Sequence, residues 1–296
     1  MSEIFERITI FTTKPVIGQY RFKDKLQIYP SKRKPIQDGR FFFPLTIEIS
    51  FPQQGEDYYR YAIPSYRSPL TKQIVEIQHL LSVVTQFFFF DHIKVKKPIK
   101  KFTNKSCKLI EKGNIEYYQD KVFDDRRVAN FLIPEFMDSI LETYYALPTD
   151  ILLAFRKACY LFYCGVELRG TYHSLSFASF VSAIETLMAF DAEDTERCEC
   201  CGQPKYRLNA RFREFIYAFG YGGNKSPVAK KFINKLYEHR SKILHEGQLL
   251  LGDMFWHHVE EKNNDIREWE ESFLHKDLLG ATRICLIRWV ASQGEG

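Results

Sequence analysis

Tyr237-Glu238-His239-Arg240-Ser241-Lys242-Ile243-Leu244-His245-Glu246-Gly247 is the stretch on which the reading of this chain turns. A basic, partly apolar run over 228–244 leads into it with helical spacing, and Ser226-Pro227 starts that run. Gly247 closes it as a helix C-terminus signal. The stretch therefore predicts the end of a long helix that carries an arginine and a histidine with four residues between them. Arginine is a fixed positive charge with a planar donor fork that suits phosphate. Histidine is the side chain best fitted to exchange protons near neutrality. Together they are suited to a phosphodiester.

Positions five apart lie roughly 140° from each other around a helix. Arg240 and His245 thus do not share one stripe. Their convergence is expected only through a distorted helix, or in a groove closed by another helix or a second chain. Gly247 puts His245 in the last turn, where the helix dipole favours a cation, and Arg240 opposes that preference.

Outward from this helix, the C-terminal half reads as helical. Residues 134–145 give an amphipathic helix, and Thr149-Asp150 caps an apolar run over 151–168. Residues 171–190, rich in small and apolar side chains, form the next helix and contain Glu185, a candidate buried acid. Residues 207–219 read as a helix, 220–224 as a loop, and 264–290 as one or two last helices.

The N-terminal half is β-rich. Runs over 5–12, 20–29, 41–51 and 58–63 mix β-branched and aromatic residues with polar ones, separated by turn signals such as Gln37-Asp38-Gly39. This predicts a small antiparallel sheet. Thr46-Ile47-Glu48-Ile49-Ser50-Phe51 alternates, which predicts one wet face and one buried face. Ser68-Pro69 opens a helix through about Val84, the four adjacent phenylalanines at 87–90 read as a buried element, and 115–122 as a further strand. Residues 94–108 carry seven lysines and no acid. They read as a loop, either simply solvated or an electrostatic handle for an RNA backbone through Lys96, Lys97, Lys100 and Lys101.

The chain of 296 residues is long enough for two domains. Apolar residues at 45% and charged ones at 27% describe a globular chain. The net charge of +5 lies wholly in the first half: residues 1–150 hold 23 Lys/Arg against 18 Asp/Glu, and 151–296 hold 19 of each. That favours an acidic partner on the N-terminal side. No signal-peptide layout and no uninterrupted apolar run of about 18 residues is present. Seven cysteines, odd in number and clustered, suit a reducing cytoplasm. The fold class expected is α+β, with a β-rich domain over 1–130 and a helical domain over 131–296.

Three features occur in one order: the helix Ser-Phe-Val-Ser-Ala-Ile-Glu-Thr-Leu-Met at 179–188, a Cys-rich insert, and Leu-Tyr-Glu-His-Arg-Ser-Lys-Ile-Leu-His at 236–245. That order resembles the HEPN superfamily, in particular the ApeA-like HEPN domains, over roughly residues 148–292. The resemblance implies an all-α bundle and a metal-independent ribonuclease acting as a homodimer. In it Arg240 and His245 are catalytic, Ser241 orients the arginine or touches phosphate, and Glu185 supports the site, with Lys235 and Lys242 of the same helix contacting RNA. It also implies a cytoplasmic toxin of anti-phage defence that acts by abortive infection, with the N-terminal part sensing a phage-derived or protein trigger. Two departures are set against that resemblance: Glu246 follows the histidine where glycine is common, and the tyrosine that follows shortly after it in HEPN toxins paired with nucleotidyltransferase antitoxins is missing, which argues against control by tyrosine modification.

The insert holds Cys198, Cys200 and Cys201. A tetrahedral zinc site needs four ligands, usually from two Cys pairs, and the second pair is not evident. Cys164, His173, His239 or a partner chain would have to complete it. A structural zinc and a metal-free thiol cluster both stay open, and neither supplies the catalytic ion. The competing functional reading is a non-catalytic HEPN module that binds RNA or protein. A zinc-dependent hydrolase lacks its His-Glu-x-x-His, and His257-His258 are adjacent.

Overall fold

The computed structural model describes residues 3–38, 40–52, 69–85, 87, 89–90, 96–103, 108–113, 129–190, 208–253 and 264–294. The chain is α+β and divides into two compact units, Met1–Leu141 and Glu142–Gly296. The readings over 58–63 and 115–122, the insert cysteines and His257-His258 fall outside the described residues.

The first unit is built on an antiparallel sheet. Its strands are β1 (Glu3–Thr12), β2 (Tyr20–Phe22), β3 (Leu26–Pro30), β4 (Ile36–Asp38), β5 (Arg40–Pro52), β6 (Phe89–Phe90) and β7 (Lys96–Ile99). The order runs β2-β3-β5-β1-β6, with β4 on β5 and β7 also on β1. Between β5 and β6 runs helix α1 (Pro69–Thr85), which buries Ile74, Ile77, Leu81 and Val84 at helical spacing. The run over 20–29 is two strands, because a tight turn with Lys23 at φ 45° folds it back on itself. Part of the expected lysine loop is strand β7, in which Lys96 and Lys97 pair with Ile8 and Arg7. Pro98 is tolerated there because, among the described residues, β7 pairs only with β1. Phe87 and Phe89 are buried, as read.

The wet face expected on residues 46–51 is not wet. Thr46, Ile47, Glu48, Ile49 and Ser50 are all buried. Ile8, Ile47 and Ile28 stand in register on one face, and Arg7, Glu48 and Gln27 on the other. Across the polar row lies Thr103. Its backbone N–H and hydroxyl donate to Glu48 at 2.8 and 2.6 Å. Tyr29 and Arg7 each donate to the same carboxylate at 2.7 Å, and Gln27 donates to the Thr103 carbonyl at 2.9 Å. Alternation distinguishes a polar face from an apolar one; it does not say whether the polar face meets water or another polar segment. Burial pushes the Glu48 carboxyl up, but the donors from Thr103, Tyr29 and Arg7 outweigh it and hold it below its ordinary value.

Strands β8 (Lys112–Gly113) and β9 (Ile133–Pro134) form a short parallel pair. Helix α2 (Met137–Ala146) follows, and the division between the units falls within it.

The second unit is a helical bundle: α3 (Thr149–Leu168), α4 (His173–Phe190), α5 (Leu208–Phe215), α6 (Pro227–Glu246) and α7 (Asn264–Ser292). The expected cap at Thr149-Asp150 sits one residue earlier: Pro148 is the N-cap, without a side-chain bond, and Thr149 already belongs to the helix. Helix α5 ends in a π-turn over Ile216–Gly220. The last helix is single. A four-residue link joins α3 to α4, so the two lie side by side, and Gly165 permits their closest approach. A Cβ there would stand 2.6 Å from the Phe180 ring. The core continues through Phe162 on Phe180, at 5.5 Å between centroids, and Phe155 stacked on the fully buried Trp289 at 6.1 Å. Gly165→Ala is expected to destabilise this unit by about 1–3 kcal/mol, the cost of overpacking a dense core. The readout is a lower urea midpoint at unchanged slope.

Candidate active site

Helix α6 has local signals at both ends. The Ser226 hydroxyl accepts the Ala229 N–H at 3.2 Å, and Pro227 occupies the first turn. At the other end Gly247 adopts φ 65°, and its N–H returns to the Lys242 carbonyl. A side chain there would meet the penalty of the left-handed region. Ile233 and Leu236 bury one face of the helix. That leaves Arg240 facing α4 and His245 exposed in the last turn.

Glu185 is the single carboxylate on α4, whose other residues are mostly apolar or small. Its Oε1 accepts from Arg240 Nε at 3.0 Å and lies 2.9 Å from Arg240 Nη2. The side chains are 22% and 13% exposed, so the pair is largely withdrawn from water and stronger than a surface pair. Arg240 Nη1 stands 2.7 Å from His245 Nε2. Guanidinium has only donors, so Nε2 is the acceptor and the ring proton of the neutral imidazole sits on Nδ1. The guanidinium also lies 5.9 Å from the Tyr237 ring centroid.

Arg240 and His245 therefore meet within one chain, on a regular helix, with α4 as the neighbouring helix against which Arg240 is held. The angle separates backbone positions. A long arginine stem anchored by Glu185 reaches around the helix, and His245, like every helical side chain, leans back toward the N-terminus. Ser241 is half-buried beside Arg240.

The segment leaving the site is fastened to α4, which carries Glu185, and to α7. Leu250 N–H donates to Ser174 Oγ at 2.8 Å, and Leu251 N–H to Glu271 at 2.8 Å. Asp253 then accepts from the first backbone N–H groups of α4, those of His173 and Ser174, at 2.7 and 2.6 Å. Burial acts to raise the Asp253 carboxyl, but these donors from Ser174 and His173 hold it below its ordinary value. Sequence reasoning missed Asp253, Ser174 and Glu271. An acid that caps a helix 79 residues upstream carries no local signal.

A cleft of about 370 Å³ lies on the neighbouring face of α6, walled by residues 248–250 and α7. Lys235 and Lys242, expected to contact RNA, line it, and each is paired with a carboxylate of this chain. Lys242 meets Glu238 at 2.6 Å and Lys235 meets Glu270 at 3.5 Å. The Lys242 pair holds the Glu238 carboxyl below its ordinary value. The cleft is thus mixed in charge rather than basic. Lys100 and Lys101 are exposed in the first unit.

Cys198, Cys200 and Cys201 lie outside the described residues. Among the described residues no group of three or more His, Cys, Asp and Glu is placed to hold a metal ion. Of the residues named above to complete a zinc site, Cys164 is half-buried on α3, His173 opens α4, and His239 lies 6.1 Å from the Phe177 ring. No described helix is long and apolar enough to cross a membrane. Compared with known protein families, with curated proteins and with solved structures, the chain matches none.

Proposed function

We propose that this chain is a metal-independent endoribonuclease of HEPN type. The observation that supports it is the Arg240 guanidinium, fixed by Glu185 and in contact with His245 Nε2. A fixed cation beside an imidazole lone pair is what cleavage through the ribose 2′-oxygen needs. The 2′-hydroxyl gives its proton to His245 as its oxygen bonds to the adjacent phosphorus. As the 2′-hydroxyl replaces Nη1 at His245, the freed Nη1 of the held guanidinium donates to the phosphorane oxygens and stabilises the charge gathering there. The bond to the 5′-oxygen breaks, that oxygen takes up a proton from water, and His245 returns its proton to the resulting hydroxide, leaving a 2′,3′-cyclic phosphate and a 5′-hydroxyl. The resemblance to ApeA-like domains extends the proposal to a homodimeric, cytoplasmic anti-phage effector, with the first unit as sensor and any zinc at the insert structural.

The second reading, a non-catalytic module binding RNA or protein, draws on the same contact: at rest the His245 lone pair is already occupied by Arg240. Purified protein, incubated with tRNA and mixed single-stranded RNA in EDTA with fragment ends mapped, separates the two. Cyclic-phosphate ends from wild type and none from His245→Ala are expected. Equal cleavage by both would remove His245 from the chemistry. RNA retained without cleavage, with no toxicity of wild type over His245→Ala on expression, would favour the binding module.

A further inference from the structure

We propose that Tyr237 is a positioning residue: its ring face, braced by Phe212, holds the Arg240 guanidinium in the plane from which Nη1 reaches His245. The inference rests on the reading of Arg240 and His245 as the working pair. Glu185 engages Nε and Nη2, one edge of the guanidinium. A single carboxylate oxygen leaves the plane free to tilt about that edge, and a tilt carries Nη1 away from a histidine 2.7 Å off. Something must fix the face as well as the edge. Tyr237 lies one helical turn before Arg240, the i, i+3 spacing at which side chains meet, with the guanidinium carbon 5.9 Å from its centroid. That is within the range at which an aromatic quadrupole attracts a cation. Tyr237 itself is braced. Phe212 of α5 stands 6.1 Å from it, at 56° between planes, and Phe212 is buried at 1% exposure. Arg211, beside it, donates to the Met188 carbonyl of α4 at 3.2 Å, tying α5 to the helix that bears Glu185. Edge and face of the guanidinium are therefore held from elements that are themselves joined.

The ring, not the hydroxyl, makes this contact, so phenylalanine should substitute and an aliphatic residue should not. The test is the imidazole nitrogen spectrum of His245 in protein labelled with ¹⁵N-histidine, assigned by its loss in His245→Ala. In wild type the Nε2 signal should show an acceptor engaged by a donor, and Arg240→Ala should shift it to that of a free imidazole. Tyr237→Leu is expected to move it toward the Arg240→Ala position, reflecting a roughly 2- to 30-fold loss in the ratio of held to released guanidinium. Tyr237→Phe should keep the wild-type signal. Leucine retains apolar bulk against Phe212, so a general loss of folding, seen in the other histidine signals, is told apart from a local release. A wild-type signal in Tyr237→Leu would overturn the proposal, as would equal displacement in Tyr237→Phe. Identical spectra for wild type and Arg240→Ala would instead strike at the Arg240–His245 contact and so at the functional reading itself. None of these outcomes depends on finding the RNA that the protein cuts.

Discussion

With Arg240 replaced by lysine, the proposed RNA cleavage should fall by about 10²- to 10³-fold, the scale for losing a preorganised donor to a developing oxyanion. The charge survives this substitution, so the loss would come from geometry. Arginine presents Nε and Nη2 to Glu185 while Nη1 reaches His245. A lysine ammonium is a single point with three donors and cannot span a carboxylate and an imidazole in fixed directions. Drawn to Glu185, it would leave His245 unheld and the phosphorane unmet. The loss should fall on kcat more than on KM, because an interaction that grows only in the transition state is the one removed. A lysine variant of near wild-type activity would mean that Arg240 contributes charge alone. The aligned donor would then not be part of the mechanism.

The chain shows which features a sequence discloses by itself. Helix α6 was legible because its boundaries are local: Ser226, Pro227 and Gly247 each act within a few residues of themselves. The antiparallel sheet, the helix between β5 and β6 and the helical C-terminal half were legible for a similar reason, since period-2 and period-3.6 patterns are written locally. Glu185 stood out as a lone carboxylate in an apolar helix, yet its partner lies 55 residues away and spacing does not name it. Tyr237, three residues before Arg240 on the same helix, carries no distinct signal in a chain with 17 tyrosines and 26 phenylalanines, where an aromatic residue marks nothing by itself. The wet face assigned to residues 46–51 follows from backbone alternation alone, and a distant polar segment, Thr103, overturns it. The angle between Arg240 and His245 likewise gives backbone positions only, and side-chain reach beside α4 closes the gap.

The buried carboxylate of Glu48 carries the other large effect, this time on stability. Glu48→Gln is expected to destabilise the first unit by about 3 kcal/mol, the lower end of what breaking a buried ion pair costs. The lower end applies because Arg7 remains 34% exposed and regains water when its partner is lost, whereas Glu48 is fully buried. A glutamine keeps the volume and one acceptor. Its amide group, however, brings donors into a site where the Thr103 N–H and hydroxyl, the Tyr29 hydroxyl and the Arg7 guanidinium already donate. One of them would be left facing a donor, a desolvated group without its bond. The pH dependence follows from the direction of the shift. The folded carboxyl titrates below its unfolded value, so at acid pH the unfolded chain takes up this proton first. The stabilisation is complete above the ordinary carboxylate range and is lost as pH falls through the lower, folded value. Wild type and Glu48→Gln should therefore differ most near neutrality and converge toward acid in urea titrations at stepped pH. Asp253, also held low, titrates in both proteins and cancels from the difference. A gap that stayed constant down to acid pH would place the contribution of Glu48 in packing, and the charge of the network would then count for little.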